Sequence, residues 1–305
     1  MTMERRKFIQ KSIFGSLGAT LIDIPLPAAS TNKIDLTILH TNDMHSRIDP
    51  FPDDGGQYAG LGGMSRRAQL IRQIRNEAKQ VLLLDAGDIF QGTPYFNLFG
   101  GELEFKLMSQ MGYDAATLGN HDFDEGINGL EKQLPHASFP FIISNYDFTG
   151  NALNNRFTPY RVFEKGNMKV GVFGLGIELK GLVAEKLYGN TRYVDPVPVA
   201  REMIQQLRSL QCNLIVCLSH LGYQHDSDKI SDQKLATQVN EIDLIIGGHT
   251  HTFLDKPQVI TSSGGYTTLI NQVGFGGINL GRIDFSLSSA SGKLSHSSGT
   301  VIVNN

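Results

Sequence analysis

The sequence has 305 residues, 40% of them hydrophobic and 19% charged, with a formal net charge of -3. That size and balance fit a globular chain of one large domain or two small ones. No long run of either charge occurs, which excludes a nucleic-acid surface or a solvating tail but not a phosphate ligand, because a bound metal pair supplies positive charge locally.

At the N-terminus, Arg5-Arg6-Lys7-Phe8-Ile9 precedes a weakly apolar stretch from Ser12 to Leu26 and then Pro27-Ala-Ala-Ser30. A basic start, a short apolar run and small residues are expected of a cleaved export signal over residues 1–30. The paired arginines point to the twin-arginine type, and so to the bacterial periplasm. The stretch is too short, and too rich in Gly and Pro, for a membrane span. No cysteine lies near the cleavage region, so no membrane anchor is expected.

From Lys33 onward, strand-like runs alternate with helical patterns. Asp35 to Leu39 reads as a strand. Ser65 to Lys79 carries apolar residues at Ala68, Ile71, Ile74 and Ala78, a helical period. Val81 to Leu84 is wholly apolar, as in a strand buried on both faces. A helix over Glu102 to Met111, a strand over Ala115 to Leu118 and a helix over Glu125 to Leu134 follow. Strands are expected over Phe139 to Ile143 and Lys169 to Phe173, and a helix over Pro198 to Leu210 with proline in its opening turn. Leu214 to Leu218 and Ile242 to Ile246 read as buried strands, with a helical segment around Asp232 to Asn240 between them.

The C-terminal stretch changes character. Thr267 to Val273, Ile278 to Leu287 and Thr300 to Val303 read as strands broken by glycine-rich turns. Alternating β and α units followed by a β-rich tail suggest an α/β chain of two packed sheets with helices outside. No proline- or serine-rich linker divides residues 31–305, so they read as a single domain. Cys212 and Cys217 flank or occupy the run Leu214 to Leu218. On one strand they would span about 16 Å and face opposite ways, beyond the roughly 7 Å between Cα atoms that a disulfide allows. Two unpaired core thiols are expected.

Five of these strands are each followed by Asp, Asn or His. The loops are His40-Thr-Asn-Asp43-Met-His45, Asp85-Ala-Gly-Asp88, Gly119-Asn-His121-Asp-Phe-Asp124, Ser219-His220 and Gly247-Gly-His249-Thr-His251. Open α/β sheets place their ligand sites at the carboxyl ends of strands. Adjacent parallel strands lie about 4.8 Å apart, so such tips can converge to metal-coordinating distance. Any one loop is a weak signal, since a histidine after a strand is usually a hydrogen-bonded loop residue. The conjunction and its order carry the weight.

That ordered set, D-x-H, G-D-x-x-x-G, G-N-H-D/E, S-H and G-G-H-x-H, resembles the calcineurin-like metallophosphoesterases. Thr41-Asn-Asp-Met-His45, Gly119 to Asp124 and Gly247 to His251 are most similar to the branch of 5'-nucleotidases and 2',3'-cyclic-nucleotide phosphodiesterases. The resemblance runs from about Ile34 to Ile283. It implies a four-layer αββα sandwich of the metallo-dependent phosphatase type and a catalytic domain over residues 31–305.

The resemblance also implies roles. Asp43, His45 and His251 would hold one divalent ion, Asn120, His220 and His249 a second, and Asp88 would bridge them. Carboxylate, amide and imidazole suit Mn, Zn, Fe or Co, and the absence of thiolate argues against a structural zinc site. A hydroxide shared by the metals would attack phosphorus in line. His121 would face the phosphate and assist the leaving oxygen, oriented by Asp124. Asn42 and Asp85 would order their loops by hydrogen bonds. Gln91, Asp122 and Asn145 take no role from the motifs, and His40, His136, His225 and His296 are read as ordinary structural histidines.

The implied activity is hydrolysis of a small phosphate ester, foremost a nucleotide, by a phosphomonoesterase. A phosphodiesterase of the cyclic-nucleotide type, a hydrolase of a non-phosphate bond and a non-catalytic binding protein are the alternatives. The last would be expected to have lost ligands, and all seven positions hold competent residues. The family's C-terminal substrate domain has no counterpart before Asn305. The expectation is therefore either a separate protein partner supplying it or a domain that acts alone on a broader set of esters.

Overall fold

The computed structural model describes residues 35–287 and 294–304, which form one compact unit. The expected export signal lies outside the described residues. In chain order the strands are β1 (Leu36–Thr41), β2 (Val81–Asp85), β3 (Ala115–Ala116), β4 (Tyr146–Asp147), β5 (Tyr160–Lys165), β6 (Met168–Leu175), β7 (Arg192–Tyr193), β8 (Leu214–Ser219), β9 (Leu244–Gly247), β10 (Gln258–Thr261), β11 (Thr267–Asn271), β12 (Asn279–Leu287) and β13 (Leu294–Ile302). One sheet runs β13-β12-β1-β2-β3 and a second β10-β11-β9-β8-β6-β5, while β4 and β7 pair separately. Within the first sheet β1, β2 and β3 are parallel. Within the second β6, β8, β9 and β11 are parallel.

The apolar runs explain the layering. Side chains alternate between the two faces of a strand, so a run with no polar residue feeds two cores at once. Leu36, Ile38, Leu82 and Leu84 join Leu214, Val216, Leu218, Leu244 and Ile246 in a core between the sheets. Leu39 and Leu83 point the other way, into a core with Met64, Ile71 and Ile74 of the helix Met64–Glu77 and Phe105 and Met108 of the helix Glu102–Met111. Ile215, Cys217 and Ile245 likewise meet Ala200, Met203, Ile204 and Leu207 of the helix Pro196–Ser209. Three cores separate four layers, and the result is the αββα sandwich.

The helix Pro196–Ser209 begins two residues earlier than its pattern suggests, because the Asp195 carboxylate accepts the N–H of Val197 and caps it. Cys212 and Cys217 are buried and unpaired. Cys212 precedes β8, and both thiols pack in the helix-facing core.

One expected strand is not a ladder. Phe139 to Ile143 makes only isolated bridges, Ala116 with Phe141 and Ile142 with Thr158. Pro140 has no N–H to give, and the segment crosses from one sheet to the other. Ile142 donates to the Ala116 carbonyl beside β3, whereas Ser144 donates to Gly174 of β6.

Candidate metal centre

Each of the five loops leaves the carboxyl end of a strand, but the five strands are divided between the two sheets. The loops bearing Asp43, Asp88 and Asn120 follow β1, β2 and β3 of one sheet, and those bearing His220 and His249 follow β8 and β9 of the other. The side chains meet where the carboxyl edges of two packed sheets come together.

Two groups of donors result. The ligand atoms of Asp43, His45 and His251 all lie within 4.8 Å of one another, and so do those of Asp88, His220 and His249. Asn120 stands with the second group, its Oδ1 2.8 Å from His249 Nδ1. Asp88 lies between the groups: its Oδ2 is 3.1 Å from His220 Nε2 and 3.9 Å from His45 Nε2. The other oxygen, Oδ1, accepts the backbone N–H of His121 at 2.8 Å, which fixes the carboxylate plane.

The backbone bends sharply to achieve this. Asp43, His45, Asp88, His249 and His251 all adopt positive φ, between 49° and 72°, a region disfavoured for residues with a Cβ. Hydrogen bonds hold them there. Asp43 accepts the N–H of His249 at 3.0 Å, and Asn42 donates to Asp43 Oδ2 while its own oxygen accepts from Val273. Gly119 is required by contact, since a Cβ there would stand 2.1 Å from Asp88 Oδ1.

Two residues that the motifs left unassigned, or that sequence reading missed, shape these loops. Asp122 is fully buried and its carboxylate accepts N–H groups from Asp88, Ile89, Phe90 and Gly119. Gln272 accepts from Thr250 and the Thr252 N–H and donates to the Gly248 carbonyl, clasping the loop that carries both terminal histidines. An isolated Asp or Gln in sequence gives no such signal. Asp85 accepts from Thr41 Oγ1 and the Gly87 N–H, whereas Asn145 bonds to Gly176, in the loop after β6.

The residues fit a cation pair. His220 Nδ1 lies 2.7 Å from the Ala86 carbonyl, so that nitrogen carries the proton and donates, and Nε2 faces the cluster. Nε2 is fully buried and makes no hydrogen bond of good geometry. For the protein alone, burial works against a charged His220, but the Asp88 carboxylate and then Asp43 outweigh it and raise its pKa to about 10. Burial likewise pushes the Asp88 carboxyl up, and the imidazoles of His220, His45 and His121 bring it well below the usual carboxylate range. A proton there stands where a divalent ion would otherwise neutralise the carboxylates. Burial, with the neighbouring His220 charge, lowers His249 to about 4, leaving it neutral as a ligand must be.

His121 stands beside the cluster, its ring 5.3 Å from that of His45. Its Nδ1 lies 2.8 Å from Asp124 Oδ2, and that hydrogen bond raises its pKa. His45, His121 and His251 share a cavity of about 300 Å³ with Arg47, Phe51 and Phe275. A larger groove of about 560 Å³ along Met64, Arg72 and Met111 contains none of the seven donors; chemistry, not volume, selects the site. His225 has its ring 6.0 Å from that of His249 and bonds to the Leu221 carbonyl. His40 is buried on β1.

Among known proteins, the chain is 35% identical over 253 residues to a snake venom 5'-nucleotidase of Gloydius brevicauda, covering 80% of this chain and 42% of that one. It is 38% identical over 229 residues to a 5'-nucleotidase of Vibrio cholerae, covering 70% and 40%. It also superposes on a 5'-nucleotidase precursor from Thermus thermophilus with a TM-score of 0.79 at 32% identity, over 88% of this chain and 54% of that one. The chain thus spans about two fifths of the length of these curated relatives. The family model for calcineurin-like phosphoesterases matches residues 36–253, which takes in all five donor loops, and the chain belongs to that family.

Proposed function

We propose that this chain is a metal-dependent phosphoric ester hydrolase, a 5'-nucleotidase-like phosphomonoesterase that removes a terminal phosphoryl group from nucleotides, with Asp43, His45 and His251 holding one cation, Asn120, His220 and His249 the other, and Asp88 shared. The observation that carries the reading is the position of Asp88 Oδ2, 3.1 Å from one donor group and 3.9 Å from the other, beside a cavity that His121 lines. Oxygen and nitrogen donors without thiolate suit Mn, Zn, Fe or Co. When bound, such a pair offsets phosphoryl charge and lowers the pKa of water.

The chain's own groups do the rest. Asp124 accepts from His121 Nδ1 and so fixes the tautomer and aim of the ring. That hydrogen bond raises the pKa of His121, which favours the protonated ring that gives its Nε2 proton to the departing ester oxygen. Buried Asp122 keeps the Asp88 and Gly119 loops in register, so the donors need not reorganise during reaction. The nucleotide preference draws on the named relatives, all called 5'-nucleotidases.

Phosphate release from AMP by the full chain, with Mn and then with chelator, tests the proposal. Metal-dependent release supports it. Cleavage of bis-p-nitrophenyl phosphate without AMP turnover would move the activity to diesters, and no cleavage of either ester with two metals bound would contradict it.

Export is a separate proposal, resting on Arg5-Arg6 and the apolar stretch behind them. Changing both arginines to lysine should trap the chain in the cytoplasm; unchanged fractionation would reject a twin-arginine signal. Among the described residues, no helix is long and apolar enough to cross a membrane.

A further inference from the structure

The cavity beside the donor groups has an aromatic wall that ends in a cation. Phe275 stacks on His251, with ring centroids 5.1 Å apart and planes at 18°. Phe51 meets Phe275 edge to face at 5.9 Å. The Arg47 guanidinium lies 4.3 Å above the Phe51 ring. The sequence of contacts therefore runs from a proposed ligand, through two phenyl rings, to a positive charge that lines the same cavity.

Arg47 differs from the other arginines nearby. Arg66 donates to the Gly60 carbonyl, Arg75 donates to the Met111 and Gly112 carbonyls, and Arg67 is fully buried behind Met44. Arg47 is half-buried, and among the described residues its side chain makes no ion pair or hydrogen bond with a protein group. A ring beneath the guanidinium takes water from one face and fixes its plane. The N–H edges stay available, and a planar fork of donors is suited to phosphate oxygens. A cavity of about 300 Å³ is at the small end for ligand sites, so a compact ligand on the metal groups reaches Arg47 as well.

The reacting phosphoryl group already has two cation sites and His121 to meet its charge. Arg47 stands at the end of the ring stack farthest from His251 and lines the same cavity, within reach of the part of a substrate beyond its reacting phosphoryl group. We propose that Arg47, seated on Phe51, is an anion subsite for the leaving arm, so that among nucleotides the domain itself favours those carrying a second phosphate next to the scissile one, as a nucleoside diphosphate does, over those with a single phosphate. This rests on the phosphate-ester reading above. The reaction needs only water: its oxygen bonds to the terminal phosphorus and gives up a proton to solvent, the bond from phosphorus to the bridging oxygen breaks with its electron pair staying on that oxygen, and phosphate and a nucleoside monophosphate leave.

The test is calorimetric binding of methylenediphosphonate and methylphosphonate to the Mn-loaded full chain, at constant free Mn. It is paired with kcat/KM for ADP and AMP, in wild type, Arg47→Ala, Arg47→Lys and Phe51→Leu. The wild type should bind the diphosphonate more tightly. In Arg47→Ala that preference, and the ADP-to-AMP ratio of kcat/KM, should each fall about tenfold or more, as for loss of a charge-assisted contact. The kinetic loss should appear in KM. Arg47→Lys and Phe51→Leu should fall in between, and they carry the test if Arg47→Ala misfolds. An equal loss for both ligands would overturn the subsite, because Arg47 would then act on the reacting phosphoryl group, and no loss would overturn it too. An Arg47-dependent diphosphonate preference without turnover of either nucleotide would keep the subsite and sink the hydrolase reading. Metal-dependent AMP turnover with an unchanged preference would do the reverse.

Discussion

Asp122 accepts the backbone N–H of Asp88 at 3.1 Å, across two loops 34 residues apart in sequence. The same buried carboxylate takes three further N–H groups. Burial and the nearby Asp88 charge raise its pKa to about 7, so these donors are what keep an anion there tolerable.

Removing it should cost both stability and metal. Asp122→Ala strands four N–H groups in the interior, at about 1–3 kcal/mol for each that finds no water, so a loss of roughly 3 kcal/mol or more is expected in urea titrations. Mn affinity should drop with it, because Asp88 loses its anchor. A variant within 1 kcal/mol of wild type and with unchanged Mn affinity would refute this role.

His121→Ala should lower kcat by about 10²- to 10⁴-fold, the usual worth of a general acid, while the bound Mn stays the same. Asp124→Asn should lower it less and also alter the pH profile. A proton donor works below its pKa, and the Asp124 hydrogen bond raises that of His121. Weakening the bond should move the alkaline limb of kcat to lower pH. An unmoved limb would show that another group supplies the proton.

His40 makes a prediction about acid stability. Burial lowers its pKa from the ordinary 6.5 to about 3, so the folded chain refuses a proton that the unfolded chain accepts. Stability is full above pH 6.5 and drains as pH falls toward 3, by ~5 kcal/mol at the limit. With chelator present, His40→Gln should flatten the wild-type slope between pH 6.5 and 4.5. Parallel slopes would rule out His40 as a source of it.

Gly281 faces His40 across the β1–β12 pair. A Cβ there would lie 2.1 Å from His40 Nε2. Gly281→Ala should therefore destabilise by about 1–3 kcal/mol or more, as overpacking does, and a thermal melt unchanged from wild type would show that the imidazole can step aside.

Much of the site was legible because each loop is local in sequence and every donor follows an apolar strand directly. His249 and His251 sit two residues apart, and Asn120 adjoins His121, so the donors of each loop could be read from the chain, whereas their division between two cations came only from the family resemblance. What could not be read was non-local. The order of strands puts β1 next to β12, more than two hundred residues later, and no local pattern gives that. Asp122 and Gln272 act through backbone N–H and C=O groups of distant loops, and Arg47 through a ring at Phe51 and the cavity beyond it. Phe139 to Ile143 misled because its apolar run is buried as expected but divides its bonds between two sheets.

The shared position of Asp88 is the central claim, and counting bound Mn per chain at matched free Mn tests it most directly. Two ions in the wild type, one in His45→Ala and fewer than one in Asp88→Ala is the predicted series, since losing the shared carboxylate weakens both sites. A single ion in the wild type, or two retained in Asp88→Ala, would contradict it.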